Sequence, residues 1–195
     1  MSADPDPYFK KRISFEHQGE QLEFDVAHTL FSSHEIDQGT ALLLRTLDVE
    51  APARVLDLGC GYGALGITLG RCFPDANVTM IDSDLLAVRY AHHNCALNNI
   101  TNAQVIAGVG IDDAPPGDFD LIVSNIPAKI GDDAIEQEFV LAPLARLTTG
   151  GAFWFVVVSG LNRLIPKIAV RNDLRLREMK KRAGHTVYVL RRTKN

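Results

Sequence analysis

The sequence predicts a doubly wound α/β fold: a mostly parallel seven-stranded sheet between helix layers, ending in an antiparallel hairpin and preceded by a small N-terminal β-hairpin. Three observations predict it. From residue 54 onward, short apolar runs alternate with longer amphipathic stretches, the rhythm of strand–helix–strand units. Phe153-Trp154-Phe155-Val156-Val157-Val158 is apolar at every position, as a strand covered on both faces requires. Val55-Leu56-Asp57-Leu58 runs straight into glycines at 59, 61 and 63, the strand-to-helix turn that binds ligands in such sheets.

Taken in order, 12–15 and 21–26 flank His17-Gln18-Gly19-Glu20 and read as the hairpin. A helix is predicted over 36–47, with Ala41, Leu42, Leu44 and Leu47 at helical spacing, and Pro52 breaks the chain ahead of the first core strand. Strands are predicted at 54–58, 77–81, 104–107, 119–124 and 152–158, with helices at 64–72, 84–97 and 132–147 between them. After a helix at 161–169, the segments 174–180 and 186–190 surround Arg182-Ala183-Gly184-His185 and close the sheet as an antiparallel pair. The chain divides into a lead-in with hairpin, 1–30, and one main domain, 31–195.

Composition narrows the function classes. A chain of 195 residues that is 46% hydrophobic and 23% charged suits one globular domain. No apolar run reaches the roughly 18 residues of a membrane span, and the acidic, Pro-rich start is unlike a signal peptide. Three cysteines, Cys60, Cys72 and Cys95, show neither disulfide-framework nor zinc-site spacing. The expectation is a reduced, cytoplasmic compartment. Adjacent His92 and His93 cannot share one helix face and are expected on a solvated surface, so no metal site is expected. Residues 163–195 hold 11 Lys and Arg against two acids, while the rest of the chain holds 9 against 22. Such asymmetry suits either a nucleic-acid-facing end or a solvated rim.

The glycine loop admits two ligands. Gly61-Tyr62-Gly63-Ala64-Leu65-Gly66 matches the dinucleotide pattern, and Asp82 follows at the distance of a ribose-binding acid. Charge separates the readings. A dinucleotide brings a pyrophosphate to the helix N-terminus, and Asp57 at the strand end would repel it. S-adenosylmethionine carries an ammonium and a sulfonium and no phosphate, so Asp57 favours it. Asp82, with Ser83 beside it, ends the second strand, where a carboxylate can accept both ribose hydroxyls. Its other reading is a helix cap, for which Ser83 and Asp84 are alternatives.

On the acceptor side, the fourth strand ends in Asn125-Ile126-Pro127-Ala128-Lys129. A conjugated amine is a poor nucleophile because its lone pair is delocalised. The side-chain carbonyl of Asn125 and the backbone carbonyl of Ile126 can hold its two N–H groups and aim the lone pair, while Pro127 stiffens the turn.

These residues carry a resemblance. From Phe31 onward the chain resembles the small-domain family of class I, Rossmann-like S-adenosylmethionine-dependent methyltransferases, which includes ribosomal RNA guanine-N2 and protein glutamine methyltransferases. Phe31-Ser32-Ser33 with Ile36-Asp37-Gln38-Gly39-Thr40 is similar to the family's segment that packs over the donor. VLDLGCGYGALG is similar to its donor loop, and Ser124 to Pro127 occupies the place of its Asn-Pro-Pro-aromatic motif. The resemblance implies S-adenosyl-L-methionine as cofactor, contacted by Phe31, Thr40, Asp57, Gly59, Cys60, Gly61, Gly63, Asp82, Ser83, Val109 and Asn125. It implies Asn125, Ile126 and Pro127 as the catalytic set, and ribosomal RNA or a ribosomal subunit as partner.

Two departures bear on the target. Ile126 and Ala128-Lys129 stand where the family has a second Pro and an aromatic, so a stacking contact worth about 1–3 kcal/mol is missing. The third-strand exit, Ala107-Gly108-Val109-Gly110, lacks an acid for the adenine amine, leaving Val109 backbone contacts or Asp112 and Asp113 instead. N-methylation of an RNA base is the leading expectation. A protein glutamine or small-molecule substrate, and a non-catalytic donor-binding module, are the alternatives.

Overall fold

A computed structural model of the chain describes residues 6–30, 32 and 34–192. The N-terminal hairpin pairs β1 (Phe9–His17) with β2 (Glu20–Ala27). Gln18 and Gly19 between them both have positive φ, 50° and 84°, as a two-residue hairpin turn requires. The strands outrun the predicted 12–15 and 21–26, since Lys10, Lys11, Glu16 and Glu20 in the added ends are polar and break the apolar pattern.

Helix α1 (Gln38–Thr46) starts two residues after the predicted 36, because the Asp37 side chain accepts from the Thr40 N–H at 2.9 Å and caps it. The main sheet runs β5 (Ala103–Ala107), β4 (Asn77–Asp82), β3 (Arg54–Leu58), β6 (Phe119–Asn125), β7 (Leu147–Val158), β9 (His185–Arg191), β8 (Arg177–Arg182). The first five are parallel, and β9 and β8 add antiparallel. Strand order therefore reverses beside β3. The crevice between β3 and β6 is the topological switch point where sheets of this class bind ligands.

Helices cover both faces. On one side α1, α2 (Ala64–Cys72), α3 (Leu85–Leu97) and the hairpin share a core with Val55, Met80, Val123, Trp154 and Val156. On the other, α6 (Leu164–Arg171) and the 132–145 region share one with Leu56, Ile122, Phe153, Phe155 and Val157. Successive residues of β7 thus enter opposite cores, which is why its sequence is apolar throughout.

The helix predicted over 132–147 is broken. It becomes α4 (Asp132–Glu136), a π-helical turn Gln137–Leu141 and α5 (Ala142–Ala145). Pro143 has no N–H to bond the Phe139 carbonyl, and the backbone widens there. Leu147, fully buried, already belongs to β7 and pairs with Phe119, five residues before the predicted strand start. Helix α6 begins at Leu164, after a 3-10 turn at Ser159–Leu161. The closing pair is shifted to Arg177–Arg182 and His185–Arg191, since Leu174 and Leu176 pack against the core from the preceding loop.

The hairpin is fastened by a polar device. Asn98 accepts from the Glu23 N–H at 2.9 Å and donates to its carbonyl at 2.7 Å. One helical turn earlier, Asn94 accepts from the Asp25 N–H at 2.8 Å and donates to its carbonyl at 3.1 Å. Four residues of helix rise about 6 Å and two of strand about 6.6 Å. Two asparagines therefore mimic a neighbouring strand and close the β2 edge. Among the described residues no helix is long and apolar enough to cross a membrane.

Candidate functional site

Asp57 lies at the C-terminal end of β3, fully buried. One carboxylate oxygen accepts from the Gly66 N–H at 2.8 Å, and the other, Oδ1, has no hydrogen-bond partner. Burial pushes the carboxyl up to about 7, with the Gly66 N–H opposing the rise and the Asp82 charge adding to it. Asp57 thus sits beneath the loop, half-satisfied, short of one donor or cation.

Above it the loop backbone is pinned to β4, the Gly59 and Cys60 N–H groups both donating to the Ile81 carbonyl at 2.9 Å. Gly63 has φ 95°, and a Cβ there would meet Ile67 Cδ1 at 2.7 Å, so both conformation and space require glycine. Gly66 lets α2 settle on β4; its Cβ would lie 2.4 Å from Met80 Cγ. A Cβ on Gly61 would meet nothing within 4 Å, so the loop crest faces open space. Cys60 is buried, its thiol pushed well up by burial.

Asp82 ends β4, partly exposed. Its two oxygens accept from the Gly61 N–H at 2.7 Å and the Asp84 N–H at 2.9 Å. Asp84, not Asp82, caps α3 by accepting from the Leu86 N–H at 2.8 Å. Asp82 is therefore available at the rim of the loop, with Ser83 beside it. Val109 is exposed, but its N–H donates to Asp113 at 2.7 Å, so Asp113 folds back on its own loop.

On the adjoining strand, Ser124 is buried and donates to the Leu58 carbonyl at 2.7 Å, tying the ends of β6 and β3 together. Asn125 follows, half-buried. Its NH2 group donates to Asp37 at 2.7 Å and to the Thr40 hydroxyl at 3.1 Å. Thr40, expected against the donor, thus contacts Asn125 directly. Ile126 is buried in the second core, its N–H bonded to the Val156 carbonyl at 3.0 Å. The side chain that replaces a family proline is a core residue, and only its carbonyl can serve the site. Pro127 and Lys129 are exposed.

The structure gathers Asp57, the three loop glycines, Asp82 and Asn125 at one end of the sheet, on the neighbouring strands β4, β3 and β6. Phe31 lies outside the described residues. Three contributors have no role assigned from the sequence. Asp37 reaches Asn125 across 88 positions. Phe139, on the π turn, lies over Gly59, its ring carbon 3.7 Å from where a Cβ would stand. Asn94 donates to the Tyr62 carbonyl at 2.9 Å and joins hairpin, α3 and glycine loop. His92 and His93 are exposed on α3, as expected, and His93 Nε2 in addition meets Asp25 at 2.7 Å.

The methyltransferase small domain family model matches residues 21–188. Ribosomal RNA small subunit methyltransferase C of Pseudomonas putida is 41% identical over 129 residues, covering 66% of this chain and 38% of that protein. The protein of the same name from Ectopseudomonas mendocina is 35% identical over 166 residues, 84% of this chain and 49% of that one. Among solved structures, a T. thermophilus 16S rRNA N2 methyltransferase in complex with AdoMet and guanosine aligns with a TM-score of 0.80 at 28% identity, covering 98% of this chain and 53% of that chain. The chain spans about half or less of the length of these relatives. With the match running from the hairpin to the last strand, the chain belongs to the methyltransferase small-domain family.

Proposed function

We propose that this chain transfers a methyl group from S-adenosylmethionine to the exocyclic amine of an RNA base, with guanine N2 of ribosomal RNA as the target. The observation that carries the reading is the pairing, at one switch point, of a buried carboxylate that has one oxygen without a partner with a half-buried carboxamide on the next strand. The orphaned Oδ1 of Asp57 and the open crest at Gly61 fit a cationic, phosphate-free nucleotide. Asp57 and the loop backbone would hold its amino acid end, and Asp82 its ribose. The cofactor supplies the activated methyl group.

The rest falls to the chain's own residues. With its NH2 group turned inward, Asn125 offers the substrate amine its Oδ1, and the Ile126 carbonyl offers a second acceptor. Two accepted hydrogen bonds fix the amine plane and aim its lone pair, so catalysis rests on orientation more than on a strong base. A base within a duplex would have to be flipped out to reach this crevice.

RNA as the substrate is supported by the relatives' names and by charge. Lys180, Lys181 and Arg182 are exposed at the end of β8, and none enters an ion pair among the described residues. Three strand spacings of about 4.8 Å place that corner roughly 15 Å from Asn125. We also propose that the 1–30 segment is an accessory to the catalytic unit at 31–195.

The test is transfer of labelled methyl groups into small-subunit RNA from cells lacking the enzyme, followed by nucleoside mass spectrometry. Label in N2-methylguanosine, with Asn125→Ala reducing turnover about a hundredfold at little cost in donor affinity, is the expected result. Label in protein alone would overturn the RNA assignment.

A further inference from the structure

We infer that Asp37 is a positioning residue that sets which end of the Asn125 carboxamide faces the substrate. The inference rests on the proposed amine methylation and adds a component to it. A carboxylate only accepts hydrogen bonds. Because Asp37 Oδ2 lies 2.7 Å from Asn125 Nδ2, the carboxamide must present its NH2 end to Asp37 and its oxygen to the crevice. The Thr40 hydroxyl accepts the second N–H at 3.1 Å, so both amide protons are engaged inside the protein.

A neutral partner at position 37 would lose this discrimination, since asparagine can donate as well as accept. Reversed, the Asn125 carboxamide would show NH2 to the substrate and oppose an incoming amine donor to donor. The contact also limits the acceptor class. A group that offers N–H is welcomed at Asn125 Oδ1, while an unprotonated ring nitrogen would meet it lone pair to lone pair.

The surrounding chain is built for this reach. The same Asp37 oxygen accepts from the Thr40 N–H at 2.9 Å, so the cap that starts α1 also fixes the carboxylate. Gly39 lacks room for a side chain: a Cβ would lie 2.8 Å from His185 Cδ2 and 2.9 Å from Asp37 Oδ2. Its absence brings the α1 N-terminus against β7 and β9, where Asp37 meets the end of β6.

The discriminating variant is Asp37→Asn, which keeps size and capping ability and so separates positioning from helix stability. We expect kcat to fall about a hundredfold, with S-adenosylhomocysteine affinity within fivefold and the melting temperature within a few degrees. Thr40→Val should lower kcat by a smaller factor, about threefold to tenfold, as the loss of one neutral hydrogen bond implies. An independent reading comes from the side-chain amide signals of Asn125 in a 15N-labelled sample. Both protons should be protected from exchange in the parent protein, and the one donated to Asp37 should lose protection in Asp37→Ala. Full kcat in Asp37→Asn, or Asn125 amide signals that ignore position 37, would overturn the inference. If the parent protein methylates no RNA, the RNA assignment fails and the amide signals alone decide the role of Asp37.

Discussion

At the residue scale, Asp57 is the most telling group. An acid taken wholly out of water is expensive to ionise, and this one has a single N–H donor to offset the cost. With the carboxyl pushed up to about 7, the free protein near neutrality is divided between a neutral and a charged Asp57. A cationic ligand favours the charged form and expels the proton, so affinity should increase as pH rises through 7. Only the ionised fraction binds well; between pH 6 and pH 8 that fraction grows about tenfold. Asp57→Asn should remove this dependence and weaken binding at pH 8, both read by calorimetry. An anionic pyrophosphate would show the opposite trend, because ionising Asp57 would then repel it. The charge of this residue and its place before the glycines were legible in the sequence. Its complete burial was not, since residue type alone does not reveal which oxygen finds a donor.

At the scale of elements, two features decide how the site is held. The first is the asparagine pair on α3 that closes the β2 edge and reaches the Tyr62 carbonyl. Asn94 is fully buried. Asn94→Leu would strand the Asp25 backbone and the Tyr62 carbonyl, costing about 2–4 kcal/mol for buried groups left unpaired. Urea unfolding should show this as a lower midpoint with an unchanged slope. The second feature is the interrupted helix at Gln137–Leu141, whose Phe139 overhangs Gly59. Helical periodicity spoke for an unbroken element there, and Pro143 was the one mark against it. The strands were easier to read. Residues 54–58 match β3 to the residue, because Pro52 ahead of the run and Gly59 directly after it bound the strand on both sides. The outer strands β1 and β8 differ from their predicted bounds by two or three positions at each end, because an exposed strand carries polar residues that resemble a loop, whereas the more buried β2 gains only one residue at each end. Asp37 was quoted at the sequence level without a role. Its bond to Asn125 depends on how α1 crosses β7, a tertiary fact no local pattern encodes.

At the scale of the whole molecule, charge is sorted along the sheet. The acidic balance of the first 162 residues faces a basic C-terminal stretch, and the fold brings part of that stretch to the same sheet end as Asn125. β8 and β9 reverse at Ala183 and Gly184, so Lys180, Lys181 and Arg182 stand at the end that carries the site. An exposed edge strand gains from charge in any case, since it resists pairing with other chains. Phosphate recognition makes a further demand, a dependence on salt. Replacing Lys180, Lys181 and Arg182 with Glu should weaken RNA binding at least tenfold. It should also reduce the slope of log K against log salt by about two to three, with donor affinity unchanged. Filter binding across a salt series would measure both. An unaltered slope would return these residues to the role of a solvated edge.

The proposed donor site centres on a buried carboxylate, one oxygen unpaired, at the switch point of the sheet. The most direct measurement is calorimetric titration of the protein with S-adenosylmethionine at pH 6 and pH 8, beside NAD at pH 8. We predict saturable binding of S-adenosylmethionine, about tenfold tighter at the higher pH, and no heat from NAD. Binding of NAD, or S-adenosylmethionine affinity that weakens as pH rises, would contradict it.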